Sequence, residues 1–410
     1  MSLPPLSPEQ KVKPRYFELR LSAMFFTLLI PGGIYIPYFP LWLQKHGFDP
    51  EQIAVILSAP MFLRVVTTPL LTALADRARD RADIYIALVA ASAVVSAGYF
   101  LTPAYGLVLA VSLLLSTVWT PHSPIADSLA LSGVRRFKAN YPSMRVWGSI
   151  SYLLANLAGG FLLAAFSADA VPVTVFASFC LALVAGLFAP RLGRPRLGSP
   201  LSATEIQAKA PRLLGRYFVC FMLATGLIIA SHSFINGFAS IYWRSIGISD
   251  PAIGVLWAFA VVAEVCVFFS FRRVFGHHSA VTLMVAAALG AVLRWTLFPL
   301  VWPLGLGVAG FFVVQALHAI STALVLIGLQ KMIGETVSDS RTGAAQGMAY
   351  FSNYIFTAAA TLASGPLYAS FGAAGAFGMV PVALAGLALA VLAGPQPHSA
   401  AAGGDTSDPS

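Results

Sequence analysis

Glu264 is the one carboxylic acid in GVLWAFAVVAEVCVFFSF, residues 254–271. Arg294 lies inside AVLRWTLF, and His318 belongs to a stripe of Gln315, His318, Ser321 and Thr322 at helical spacing. Arg64 lies inside APMFLRVVTTPLL, and Asp127 inside PHSPIADSLALSG. Such groups can carry protons or grip a charged solute. A charge at the centre of a bilayer costs ~2.5–3.5 kcal/mol on insertion scales, so these groups face a cavity or a partner. An acid, an arginine and a histidine on successive apolar stretches can satisfy one another. A nearby cation favours the ionised carboxylate and burial favours the protonated one. An acid that exchanges these surroundings takes up a proton in one conformation and releases it in the other. The alternative is a static buried pair that only fixes helix packing.

Asp127 and Arg145 stand 18 residues apart across a short turn, so their charges can meet. Arg145 could equally be an anchor at the membrane surface. Arg64 stays charged and offers a planar fork that fits a carboxylate. It binds an organic acid if it faces a cavity; otherwise it is a structural partner for Asp127 or Asp76. Polar stripes run through Thr225, His232, Asn236 and Ser240, and through Gln346, Tyr350, Asn353 and Thr357. Tyr35 and Tyr38, and Trp119, His122 and Ser123, add two shorter ones. Trp147, Trp119 and Tyr38 are candidate aromatic walls, although aromatics also belt the membrane interface. The substrate-facing candidates are therefore Arg64, Asp127, Arg145, Trp147, His232, Asn236, Gln315 and Asn353. No Walker A, HExxH, GxSxG or paired-cysteine pattern occurs, which argues against ATP-driven transport, catalytic residues or a bound metal. Cys180, Cys220 and Cys266 sit in apolar runs as packing residues.

The elements that must position these groups are membrane spans. The 410 residues are 58% hydrophobic and 10% charged, against about 25% charged in a soluble domain. A span needs about 20 mostly apolar residues. Twelve are read, at 17–43, 52–75, 83–102, 105–130, 145–166, 172–190, 214–243, 252–273, 280–300, 303–332, 342–370 and 374–394. Of the 25 Lys and Arg residues, all but four fall on one set of alternate loops. The exceptions are Lys45 and Arg244 on the opposite loops, and Arg64 and Arg294 inside spans. That alternation predicts twelve spans with both termini cytoplasmic, and it assigns the net charge of +9 to cytoplasmic loops rather than nucleic acid. The architecture is all-α, because an open sheet cannot satisfy its backbone in lipid. A polar N-terminal tail (1–16) has no apolar core of a cleavable signal, so span one directs insertion. A basic linker, 191–212, divides a six-helix bundle (17–190) from a second (213–394). The tail 395–410 reads as disordered and cytoplasmic.

Six plus six spans around a basic linker resembles the major facilitator superfamily. LADRARDR (74–81) is similar to its cytoplasmic GxxxDRxGRR signature, with Asp76 and Arg77 on its DR and Arg81 on its last basic position; Thr72 and Arg79 replace the glycines. In the superfamily this loop steadies one conformation, a role the resemblance gives to Asp76, Arg77 and Arg81. YIPYFPLWLQKHG (35–47) resembles the lactose-permease-like branch. The segment 237–269, MRVWGS (144–149), VLRWT (292–296) and QALHA (315–319) resemble the phenylpropionate permease family. The resemblance implies proton coupling through Glu264, Arg294 and His318, and a substrate-holding pair in Asp127 and Arg145.

The expectation is a proton-coupled symporter of a bacterial inner membrane, with two six-helix halves rocking about a central site. It takes up a small organic solute with a proton and acts as a monomer in the lipid bilayer. It needs no cofactor beyond the proton gradient. The resemblance implies an aromatic monocarboxylate such as 3-phenylpropionate. A sugar or nucleoside is the alternative cargo, and a non-transporting assembly or sensing factor the alternative class.

Overall fold

The computed structural model describes residues 12–193, 215–337 and 342–394. Residues 1–11, the tail 395–410 and nearly all of the linker lie outside the described residues. Among the described residues, every regular element is helical. Eleven runs are long and apolar enough to cross a membrane. The last, Ala345–Ala393, is 49 residues long, about 70 Å as one helix and more than twice a bilayer core. It holds two spans, Thr342–Phe371 and Met379–Ala393, joined by a tighter 3₁₀ segment at Gly372–Gly378. Twelve spans result.

Spans one to three are Phe17–Lys45, Pro50–Arg77 and Arg81–Ser96. Span four consists of two helices, Tyr105–Trp119 and His122–Phe137, broken at Thr120 and Pro121. Spans five and six are Tyr141–Phe166 and Ala170–Leu187. Span seven is also broken, into Arg216–Ala230 and Ser233–Ser245. Spans eight to ten are Asp250–Val274, Ala280–Leu297 and Gly307–Thr336. Spans four and five are each longer than the hydropathy pattern suggests. Asp127 therefore sits well inside span four, and Arg145 one turn inside span five.

The two halves repeat one packing scheme. Span one packs on five and six, as seven packs on eleven and twelve; three packs on six, as nine packs on twelve. Spans one and seven even end alike. Phe48 N donates to Leu43 O at 3.2 Å and Gly47 N to Gln44 O at 3.0 Å. Two hundred residues on, Ile248 N donates to Trp243 O at 3.0 Å and Gly247 N to Arg244 O at 3.1 Å. Both are Schellman caps, and each needs its glycine, at φ 83° and 86°, because a Cβ is strained there.

The halves meet along spans two and eleven, five and eight, and one and the outer helix of seven. Their closest approaches cluster at the end carrying Lys45 and Arg244, here called the outer end. A Cβ at Gly160 of span five would come within 2.5 Å of Asp250 O at the start of span eight. One at Gly254 would meet Asn156 O at 2.8 Å and Tyr38 Oη at 2.9 Å. One at Gly365 of span eleven would meet Ala54 Cβ at 2.6 Å. Towards the basic-loop end, Leu70 and Leu74 of span two and Tyr350 and Phe351 of span eleven are exposed. The interior is closed at the outer end and open at the other.

Candidate functional site

Two cavities lie between the halves. The one nearer the outer end, of about 300 Å³, is lined by residues of spans one, two, four, five, seven and eleven. Tyr35, Trp119 and Tyr152 give it aromatic walls, and Leu29, Leu57 and Met61 add aliphatic surface. Tyr35 stacks on Phe39 at 4.3 Å between ring centroids and meets the edge of Trp119 at 5.6 Å, so both rings are held by neighbours. The second cavity, of about 520 Å³, is lined by Thr68, Thr72, Ser123, Asp127, Tyr350 and Tyr354 among others. Arg64 and Thr120 line both. Thr120 is at the break in span four, where irregular backbone is tolerated beside a cavity.

Arg64 Nε donates to Ser116 Oγ at 2.8 Å, and Ser116 Oγ–H donates to Pro60 O at 3.3 Å. Ser116 thus pins one edge of the guanidinium. Among the described residues Arg64 makes no ion pair. The expected alternatives, pairing with Asp127 or Asp76, are not what the structure contains.

Asp127 accepts from Tyr141 Oη at 2.9 Å, and Arg145 Nε is 3.9 Å from the same oxygen. The pair expected from their spacing is therefore present but loose, with Tyr141 between. Tyr141 precedes the hydrophobic stretch that marks span five from 145 onward, so hydropathy gives no sign that its hydroxyl belongs to the site. Arg145 leans over the Phe25 ring at 5.5 Å and does not line either cavity. Trp147 is exposed, edge-on to Phe26 of span one, and lines neither cavity. His122 turns away from both, buried with Nε2 3.2 Å from Ser92 Oγ of span three.

The acid, arginine and histidine of spans eight, nine and ten come together, in an order the sequence does not reveal. Arg294, 1% exposed, donates from Nη2 to Gln315 Oε1 at 2.7 Å, and its Nη1 is 3.0 Å from His318 Nδ1. His318 Nε2 is 3.9 Å from Glu264 Oε2. His318 therefore stands between Arg294 and Glu264, and the direct Arg294–Glu264 pairing gives way to a chain. Thr322 Oγ1 also approaches His318 Nδ1, at 3.2 Å. Gln315 donates onward to Leu256 O of span eight at 3.0 Å. This occupies both ends of its amide, so Gln315 is a strut of the cluster and lines neither cavity. His232 joins the same cluster through Ser321, at 2.9 Å, and is likewise off both cavities. Asn236 lines the smaller cavity. Asn353 lines neither, and its Oδ1 is buried without a hydrogen-bond partner.

At the basic-loop end Arg81 grips Asp76 Oδ1 through Nε at 2.9 Å and Nη2 at 2.6 Å, and reaches Ser132 of span four at 3.3 Å. Asp80, which the sequence reading passed over, is more deeply buried. It accepts from Ala82 N at 2.9 Å as the cap of span three, and from Leu192 N and Gly193 N at 2.9 and 2.8 Å. An aspartate at N-cap distance before an apolar run that begins at Ile84 is the signal that could have found it.

The model of the MFS_1-like family matches residues 18–379. The chain belongs to this family. As an MFS_1-like protein it is a membrane transporter of the major facilitator superfamily, and not an enzyme. The chain is 27% identical over 280 residues, 67% of its length and 72% of the relative's, to a probable 3-phenylpropionic acid transporter of Escherichia coli. It is 28% identical over 273 residues, 66% of its length and 68% of the relative's, to a maltose permease of Geobacillus stearothermophilus. Among solved structures, the nucleoside transporter NupG in a D323A form superposes with TM-score 0.76 at 18% identity, covering 92% of this chain and 98% of its own. At that identity the likeness concerns the fold alone.

Proposed function

We propose that this MFS_1-like transporter carries an aromatic monocarboxylate together with a proton. The observation that carries the reading is Arg64: a guanidinium without an acid partner among the described residues, pinned by Ser116 at the junction of two cavities, beside an aromatic pocket. A carboxylate at the fork would complete a charge-assisted pair, and its ring would fill the space among Tyr35, Trp119 and Tyr152. The relative described as a 3-phenylpropionic acid transporter supports this substrate class. Asp127, half-buried in the wall of the larger cavity, meets the solute on its way to the open end, with Asn236 as a hydrogen-bonding contact in the smaller one. Glu264 carries the proton, and His318, Arg294 and Gln315 form the polar chain behind it. Asp76, Arg77 and Arg81 steady the basic-loop end. With that end cytoplasmic, as the loop charges indicate, the conformation is inward-facing.

A second reading keeps the fold and the proton and changes the cargo to a sugar or nucleoside. The hydroxyl-rich lining of the larger cavity around Asp127 favours it. Uptake of labelled 3-phenylpropionate into vesicles with an imposed proton gradient decides between them. Competition by aromatic acids but not by sugars or nucleosides, with loss of accumulation on collapsing the gradient, is the expected result. Competition by sugars alone overturns the carboxylate reading.

A further inference from the structure

Span seven breaks at Ser231 and His232, and both residues are tied to the buried cluster. At the break His232 N–H bonds Ile229 O at 3.1 Å, so it no longer serves Ile228 O four residues back. That carbonyl is satisfied by side chains instead. Ser231 Oγ donates to it at 2.6 Å, and His232 Nδ1 lies 3.0 Å away. A carbonyl can only accept, so Nδ1 carries a proton, and in the neutral ring Nε2 is left as an acceptor facing Ser321 Oγ of span ten at 2.9 Å, in competition with Leu317 O and His318 O of span ten itself, at 3.0 and 3.1 Å from that hydroxyl. Ser231 in turn accepts from Trp295 Nε1 of span nine at 2.9 Å.

The residues that hold the break are neighbours of the ones proposed to handle the proton. Trp295 follows Arg294, and its ring lies 4.6 Å beneath the guanidinium carbon. Ser321 is one turn after His318, whose ring lies 5.5 Å from that of His232. Beyond the break, the outer helix Ser233–Ser245 packs on span one of the other half and brings Asn236 and Gly237 to the wall of the smaller cavity. A helix with an interrupted ladder bends where its free groups have alternative partners, and here those partners come from spans nine and ten.

We infer that His232 is a positioning residue at a hinge in span seven, linking the Arg294–His318 cluster to the outer helix that closes against span one. It touches neither cavity, so its effect falls on the closing motion rather than on solute contact. The inference rests on membership of the transporter family and is independent of the substrate.

The test uses the full chain in lipid nanodiscs, with its native cysteines replaced and spin labels at Gln44→Cys and Ser245→Cys, exposed positions at the outer ends of spans one and seven. Electron–electron double resonance reads the shares of molecules with these ends together and apart. His232→Ala is expected to change the ratio of the two states about fivefold, the weight of one net hydrogen bond. His232→Asn, which keeps a side-chain N–H for the Ile228 carbonyl, is expected to restore it in part. A label pair confined to spans three and six should not respond. Should His232→Ala fail to fold, Ser321→Ala, which removes the contact from span ten and leaves His232 in place, is expected to change the ratio from that of the parent. An unchanged ratio in the folded variant, or an equal change in the control pair, overturns the inference.

Discussion

Arg294 Nη1 lies 3.0 Å from His318 Nδ1, and this contact fixes how the histidine is protonated. A guanidinium can only donate, so Nδ1 must accept and the ring proton resides on Nε2, the nitrogen 3.9 Å from Glu264 Oε2. A second proton on the ring would break the bond to Arg294. The acid is then the group in the chain able to gain and lose a proton without dismantling it. Glu264→Gln, which holds the neutral shape, is expected to abolish uphill accumulation and to leave downhill exchange intact. Paired counterflow and accumulation assays in vesicles separate the two. Accumulation at the parent level by this variant would sink the coupling role.

Arg64 yields a sharper prediction about substrate. Its Nε is occupied by Ser116, which leaves the terminal nitrogens for the solute. Replacing it by Gln removes the charge and should raise KM for a carboxylate substrate about 10–100-fold, the range for a lost hydrogen bond to a charged group. Lys keeps the charge without the fork and should fall between. Ser116→Ala should raise KM by a smaller factor with kcat unchanged. Uptake kinetics across a series of aromatic acids and their amides check this; equal discrimination by parent and Arg64→Gln would remove Arg64 from the site.

Much of the architecture can be read from hydropathy and loop charge. Those signals count spans well because lipid imposes length and composition on each helix independently. They fail where one helix must be placed against another. Periodicity shows that Gln315 and His318 share a face, but not that this face meets Arg294 rather than solute. It puts His122 beside Trp119 and Ser123, yet the break at Thr120 and Pro121 turns His122 to Ser92 of span three. The break at Ser231 and His232 contains neither proline nor glycine and leaves no trace in the sequence, since tertiary partners on spans nine and ten sustain it. Asp127 and Arg145 are legible as a pair. The hydroxyl of Tyr141 between them is not, because span five begins four residues before its hydrophobic stretch.

The outer closure depends on glycines in contact with backbone. A methyl at Gly254 would lie 2.8 Å from Asn156 O, and one at Gly160 2.5 Å from Asp250 O, distances that backbone atoms cannot yield cheaply. Gly160→Ala and Gly254→Ala should therefore disfavour the state closed at the outer end. Cysteines placed along the smaller cavity, for example Tyr35→Cys, should react faster with an impermeant thiol reagent added from the outer side in either variant. A labelling rate equal to that of the otherwise identical parent would show that the spans separate too little in the other state for these contacts to matter.

At the outer rim Lys45 of span one bonds Asp169, the residue before span six, at 2.5 Å, and Ser167 at 2.9 Å. His46 Nε2 stands 3.8 Å from the same aspartate. The bond from Lys45 holds the Asp169 carboxyl below its ordinary range, against a small opposing effect of burial. A carboxylate with a depressed folded-state pKa contributes stability above its unfolded pKa and loses that contribution as pH falls through the folded value. Asp169 is 55% exposed, so solvent screening limits the pair to at most about 1 kcal/mol. Asp169→Asn should consequently lower the melting temperature slightly at neutral pH. The difference from the parent should vanish once the solution is acid enough to protonate Asp169 in the folded protein. Melting curves of both proteins from neutral pH to below the ordinary carboxylate range measure this directly, and a difference that persists at the acid end would assign the effect to packing of the substituted amide rather than to the ion pair.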